Sequence, residues 1–331
     1  MAVVTRQKTA FVQLAIGILA LTYIFHTVIS RAEVFGIGTT HTNNNIRSLQ
    51  VLELSSTTDK LVPFSQDFRV HGFDIYWDNL DPAELTLMFV NHQRSGGAIS
   101  IFKHRVGAGH IQHVKTVRSH LLPSPNDVVA TSRNTFYATN DIKHARGIMR
   151  KIEIYFGMPW GHVVYYGPEG VASKAFSGIP YANGIAKSPD GGLIYVAASS
   201  EPSVIAFKPT HDDGSLQPVS KTLFRGFVPD NISVDTLTGE LLVSGFLNAL
   251  ELLRYNREVL YGTNARPAGA VRRLLPFADM RKGFAEESVL IHDGTLLPAT
   301  TTAVIQRRNR VRRIVLGSVM ADHVAVCEGL Q

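Results

Sequence analysis

The chain predicts an all-β fold of the propeller type. Three observations carry that expectation. The segments PNDVVATSRNTFYAT, YANGIAKSPDGGLIYVAA and PDNISVDTLTGELLVSG each place an asparagine (Asn126, Asn183, Asn231) before an apolar stretch, a polar break and a second apolar strand. These asparagines stand 57 and 48 residues apart, close to the period of about 40 to 50 residues at which four-stranded propeller blades repeat. From Phe68 onward, short apolar runs bounded by Gly, Pro, Asn and Asp follow one another with no long amphipathic helix between them. That pattern sets α/β folds aside.

Taken in chain order, the first element is AFVQLAIGILALTYIFHTVI, Ala10 to Ile29, which holds no Asp, Glu, Lys or Arg. At about 1.5 Å per residue such a helix spans the ~30 Å hydrocarbon core of a bilayer. Arg6 and Lys8 precede it, while Arg31 beyond it is balanced by Glu33, so the positive-inside rule favours a cytoplasmic N-terminus and a lumenal or extracellular body. Residues 1–31 therefore read as a signal-anchor or transmembrane segment that touches the membrane through residues 10–29. A cleaved signal peptide and a secreted product are the alternative.

Residues 32–67, with THTNNNIRS and SSTTDK around one short strand at Gln50 to Leu54, read as a stalk and the remnant of a first blade. Residues 68–331 read as the propeller. Its expected strands are FDIYW, LTLMFV, ISIF, DVVAT, TFYAT, HVVYY, LIYVAA, VIAF, LLVSG, LELLRY and IVLGSV, with turn chemistry in SPDG (188–191) and TLTGE (236–240). ARGIMRKIEIYF, Ala145 to Phe156, reads as a short helix on the propeller face.

Composition is consistent with one large domain: 331 residues, 45% hydrophobic and 18% charged, bury a substantial core. The net charge of +6 is concentrated in Arg307, Arg308, Arg310, Arg312 and Arg313. No aromatic stacking residues interleave there, so the run reads as a solvated hairpin and no nucleic-acid role is expected. The single cysteine, Cys327 in VAVCEGL, reads as a small buried hydrophobe.

Equivalent residues of successive blades converge on the central channel, which brings Asn126, Asn183, Asp230 and Asn231 to one point. Neutral oxygens and a carboxylate are the donors a hard cation such as Ca²⁺ takes. One such residue at a strand start is more often an Asx-turn; four in register argue for metal. Asn231-Ile232-Ser233 is the only N-glycosylation sequon, and a buried ligand cannot carry a glycan.

The motifs LMFVNH (87–92), KTVRSHLLPSPNDVVA (115–130), FYATND (136–141), VVYY (163–166), YANGIAKSPDG (181–191), PDNISVD (229–235) and DHVAVCE (322–328) occur in order over roughly 260 residues. In them the chain resembles the paraoxonase/arylesterase family. The resemblance implies a six-bladed propeller behind a hydrophobic anchor, and calcium-dependent hydrolysis of small lactones and aryl esters. It implies Asn126, Asn183, Asp230 and Asn231 as ligands of a catalytic calcium. It also implies Asp127, with a backbone carbonyl near Arg94, on a second, structural calcium, and His92 as the general base. Histidine suits that work because its unperturbed pKa lies near 6.5. Gluconolactonase-like and strictosidine-synthase-like propellers share the architecture but not this set of motifs.

Departures accompany the matches. The histidine that partners His92 in the family falls on Ser119, with His120 one residue later, where a strand would turn its side chain to the opposite face. A further family histidine falls on Phe246. The family's Glu-Asp pair, one acid for each calcium, and the cysteine that bonds to the C-terminal one both belong to a stretch missing between FGIGTTHTNNN and VLELSS. Glu53 lies in a later strand and does not replace that acid, so both calcium sites lack an acidic ligand. A propeller that binds a ligand or partner without catalysis is the competing function.

Overall fold

The computed structural model describes residues 52–54, 61–63, 67–77, 80–210, 213–248, 251–252, 266–295, 297–308, 311–318, 321 and 324–328. Two short strands, β1 (Leu52–Leu54) and β2 (Leu61–Pro63), pair antiparallel, and β1 lies against the outer strand of the first blade. That blade holds β3 (Val70–Tyr76), β4 (Glu84–Gln93), β5 (Gly96–Arg105) and β6 (Gln112–Val117). Blade two holds β7 (Pro125–Ala130), β8 (Phe136–Asn140), β9 (Gly161–Tyr166) and β10 (Ala172–Ile179). Blade three holds β11 (Ala182–Lys187), β12 (Ile194–Ala198), β13 (Ser203–Pro209) and β14 (Leu216–Leu223). Blade four holds β15 (Val228–Val234), β16 (Leu241–Phe246), β17 (Gly269–Pro276) and β18 (Phe284–His292). Blade five has three strands, β19 (Thr300–Arg308), β20 (Val311–Ser318) and β21 (Ala325–Glu328).

Every blade is an antiparallel meander in sequence order, as the short turn-bounded runs require. The second strand of a blade is apolar on both faces. Met88 and Val90 of β4 pack toward Val128 and Phe136 of blade two, while Leu87 and Phe89 lie in a separate aromatic cluster on the other face. Tyr195 of β12 packs toward Phe227 and Leu241, whereas Ile194 and Val196 pack toward Val163. The blade interfaces are thus the core.

The described residues form five blades; of the six that the resemblance implies, the first, expected to be incomplete, is represented only by β1 and β2. The sequence before Val70 supplies only the two three-residue strands among the described residues, too few for a four-stranded blade. The inner strands β3, β7, β11, β15 and β19 touch in succession; among the described residues no comparable contact joins β19 back to β3.

Other expectations fare unevenly. The helix forms as α1 (Gly147–Phe156), closed by Gly157 in the left-handed region with its N–H on the Glu153 carbonyl. In LELLRY, expected as a strand, Glu251 and Leu252 are helical, and the rest lies outside the described residues. Of the arginine run, Arg307 pairs with Asp235 and Arg312 with Glu240, so these two bind blade five to blade four and are not simply solvated. Cys327 is a free thiol packed beside Ile314 and Leu316, its pKa raised by burial. Residues 10–29 lie outside the described residues; within these, no helix is long and apolar enough to cross a membrane.

Candidate functional site

Each inner strand breaks its pairing register at the same place. The breaks fall between Val70 and Phe73, Pro125 and Val128, Ala182 and Ile185, Pro229 and Ile232, and Thr300 and Thr302. The unpaired residues are His71-Gly72, Asn126-Asp127, Asn183-Gly184, Asp230-Asn231 and Thr301. A β-bulge re-aims side chains out of the ladder, and here five bulges ring the channel with every asparagine the sequence singled out. The sequence reading missed His71. The signal was available, since RVHGFDIY precedes PNDVVA by one blade period and repeats the polar-glycine pair of Asn183-Gly184.

Two glycines permit the ring to close this tightly. A Cβ on Gly184 would stand 2.6 Å from the Asn231 Cα and 2.7 Å from the Asp230 carbonyl oxygen, and one on Gly72 would stand 2.3 Å from the Asp127 Oδ1. Side-chain latches complete the ring. The Thr139 hydroxyl donates to the Asn183 carbonyl (2.6 Å), Ser199 to the Pro229 carbonyl (2.7 Å) and Ser244 to the Thr301 carbonyl (2.7 Å).

All three asparagine amides have their nitrogen ends committed. Asn126 Nδ2 donates to Asp141 Oδ2 (3.3 Å), Asn231 Nδ2 to the Thr301 carbonyl (2.8 Å) and Asn183 Nδ2 to Ser199 Oγ (3.0 Å). A carboxylate and a carbonyl only accept, and Ser199 has already spent its proton on Pro229, so these partners fix which end of each amide is nitrogen. The carbonyl oxygens are what remains to offer a ligand. Asn183 is 5% exposed and its Oδ1 has no hydrogen-bond partner, a costly state for a buried acceptor unless something binds it. Asn231 is tied to Thr301 through the nitrogen a glycan would need.

The acids of the site favour a positive guest. Burial raises the Asp230 carboxyl to about 7, opposed by a hydrogen bond from Asn183 and reinforced by the charge of Asp127. Asp127 is likewise raised to about 7 by burial, although the amides of Val128 (2.9 Å) and Ile185 (3.0 Å) donate to its two oxygens. These bonds make Asp127 a tie between blades two and three. Among the described residues no three His, Cys, Asp or Glu side chains gather as a cation site, so a cation here depends on the amide oxygens. The donor set fits Ca²⁺ in kind, hard oxygens with little fixed charge.

His92, half-buried near the end of β4, places Nε2 2.6 Å from the Pro125 carbonyl. A carbonyl cannot donate, so Nε2 carries the proton and Nδ1 is left as the acceptor. The ring stacked on His92, with centroids 5.0 Å apart, is that of His71. One edge of His71 is exposed. Dense protein behind it and, second, the charge of His92 push its pKa down. His120 is exposed on the turn after β6, and Ser119 caps that turn by accepting from the Leu121 amide (3.1 Å). Phe246 is buried at the end of β16.

Tyr181, directly before β11, holds φ at 59°, an uncommon conformation for a non-glycine residue and one that collects at functional sites. Burial and the nearby charges of Asp141 and Asp230 raise its phenol pKa.

A sequence model described as Arylesterase matches residues 62–327. Serum paraoxonase/arylesterase 1 of Homo sapiens is 32% identical over 269 residues, 81% of this chain and 70% of that protein. The Rattus norvegicus protein of the same name is 31% identical over 260 residues, 78% and 68% of the two chains. Serum paraoxonase/arylesterase 2 of Gallus gallus is 38% identical over 185 residues, 56% of this chain and 51% of that protein.

Proposed function

The chain belongs to the arylesterase family, and from that premise we propose that it is a calcium-dependent hydrolase of lactones and aryl esters. The observation that carries the reading is the set of three asparagines whose nitrogens are tied to the protein and whose oxygens are left facing a ligand. Asn126, Asn183, Asp230 and Asn231 would hold the catalytic Ca²⁺, and Asp127 the structural one. Bound there, the catalytic ion supplies Lewis-acid polarisation of an ester or lactone carbonyl.

The chain's own residues supply the rest. The Pro125 carbonyl holds the His92 ring by its Nε2 proton, so Nδ1 is the atom that takes a proton from the attacking water. The imidazolium so formed keeps its bond to Pro125. His71, stacked against it and held neutral, positions the ring without adding charge. The bulges fix these groups on paired strands, which limits their wander. We propose further that residues 10–29 anchor the protein in a membrane with the propeller on the lumenal or extracellular side.

The test is hydrolysis of phenyl acetate and a simple γ-lactone by the full chain with calcium and with a chelator. The reading expects activity that calcium restores, and its loss in His92→Gln and Asn183→Ala. Activity indifferent to calcium and to both substitutions would refute it. A folded protein with no hydrolysis at all would favour a ligand-binding propeller.

A further inference from the structure

Asp141 closes the motif FYATND and has no role in the site drawn so far. It directly follows β8, and its amide donates to the Ser124 carbonyl (3.1 Å), which sets it beside the opening residues of β7 at the channel. Its side chain is 7% exposed. One carboxylate oxygen, Oδ2, accepts from Asn126 (3.3 Å), and the other, Oδ1, is buried without a well-formed hydrogen bond, the Ser124 and Tyr181 hydroxyls and the Ile142 amide lying near the carboxylate. A buried carboxylate oxygen without a full partner is costly to a fold. The second such oxygen at this end of the channel is Oδ1 of Asn183. Tyr181, directly before β11, feels the charges of both Asp141 and Asp230.

We propose that Asp141 is a cation ligand, the second carboxylate of the calcium site, taking the place of the acid lost with the first blade. The inference rests on the calcium reading above and adds a residue to it. Two carboxylates, Asp141 and Asp230, with the oxygens of Asn126, Asn183 and Asn231, give five protein donors to an ion that takes six to eight. Water and substrate fill the remainder. The unpartnered Asn183 Oδ1 then has a partner, the Asp141 carboxylate gains a strong one, and the ion offsets the charge that burial disfavours.

Terbium binding measures this without reference to activity. Tb³⁺ replaces Ca²⁺ at oxygen sites, and Tyr181 beside the two acids sensitises its luminescence. The full chain is titrated with Tb³⁺ and then with competing Ca²⁺, and thermal unfolding is followed with and without Ca²⁺. Asp141→Asn is expected to weaken Ca²⁺ at least 10-fold and to shrink the calcium-induced rise in Tm. Asp190→Asn, in an exposed turn, serves as the control that changes neither. Equal affinity in Asp141→Asn and the parent overturns the proposal while leaving the calcium reading standing. A parent that binds neither ion overturns both. Should Asp141→Asn fail to fold, Asp141→Glu carries the test: displacing a ligand carboxylate by one methylene shifts affinity several-fold, and an unchanged affinity overturns the proposal.

Discussion

Between blades three and four the backbone of β11 passes so close to β15 that a single added carbon on Gly184 would lie 2.6 Å from the Asn231 Cα. Between blades five and one, no comparable contact joins the inner strands among the described residues. The first junction is held by backbone proximity, bulges and buried hydrogen bonds, and it carries the candidate site. Blade five instead relies on its one described neighbour. Asn231 and Ser244 both grip the Thr301 carbonyl, Ser233 donates to the Ala303 carbonyl (2.6 Å), and Arg307 and Arg312 pair with Asp235 and Glu240 of blade four. The contrast shows how a propeller with five blades among its described residues keeps a formed centre: the bulges that carry the candidate ligands lie on the arc where each blade has its neighbour, and ionic ties hold the terminal blade to that arc.

The sharpest way to break the arc is to fill its closest approach. Gly184→Val is expected to cost about 3 kcal/mol or more, because the atoms it meets are backbone and cannot swing aside. Chemical denaturation checks this against Gly109→Ala, where nothing lies within 4 Å of the new carbon and the change should stay within about 0.5 kcal/mol.

A gentler break separates chemistry from framework. His92→Gln is expected to lower esterase turnover by roughly 10²- to 10⁴-fold while leaving the calcium-induced rise in Tm unchanged, as read by parallel kinetic and melting measurements. Loss of both together would make His92 a structural residue of the arc.

The acids of the site give a pH signature. Asp127 and Asp230 titrate near 7 in the folded, cation-free chain against 3.8 unfolded. From about pH 4 to pH 7 the folded state therefore holds protons that the unfolded state has released, and these groups lower stability as pH rises through that window. Calcium competes with those protons, so the Tm difference between calcium and chelator should widen from pH 5 to pH 8, by on the order of 5 °C. The neutral histidines His71 and His162, whose pKa values burial lowers, lose stability below about pH 6.5 in both conditions and cancel in the difference.

The smallest effect lies at blade five. Arg307→Met removes the tie to Asp235 and is expected to cost about 1 kcal/mol. Hydrogen exchange should rise in β19 to β21 while blades two to four keep their protection. Uniform loosening of all blades would mean that the terminal blade is not held separately.

Much of the arc was legible in the chain. Period-2 patterning and turn residues report local backbone preferences, so β7, β8, β9, β12, β13, β16 and the short helix fell close to their expected places, while the more polar β10, β14, β17 and β18 were not foreseen. The converging asparagines were legible because a propeller places equivalent residues at one axis. His71 escaped because its blade was sought through apolar strands, and the polar-glycine pair that marks the bulge was not used as a repeat. Asp141 escaped because it lies just after the second strand of its blade, outside the aligned positions. The first blade was expected to be incomplete, and only β1 and β2 stand there among the described residues; LELLRY differed because a six-residue apolar run does not separate helix from strand.

The sequence by itself determined an all-β propeller, the family and the three asparagine-led repeats, since these follow from spacing and residue type along the chain. Tertiary structure alone decided which end of each amide faces a ligand, which nitrogen of His92 keeps its proton, and which carboxylate oxygen is left without a full partner. Those outcomes depend on acceptors one blade away, at separations of 33 residues for His92 and Pro125 and 70 for Asn231 and Thr301. No local pattern encodes contacts of that range.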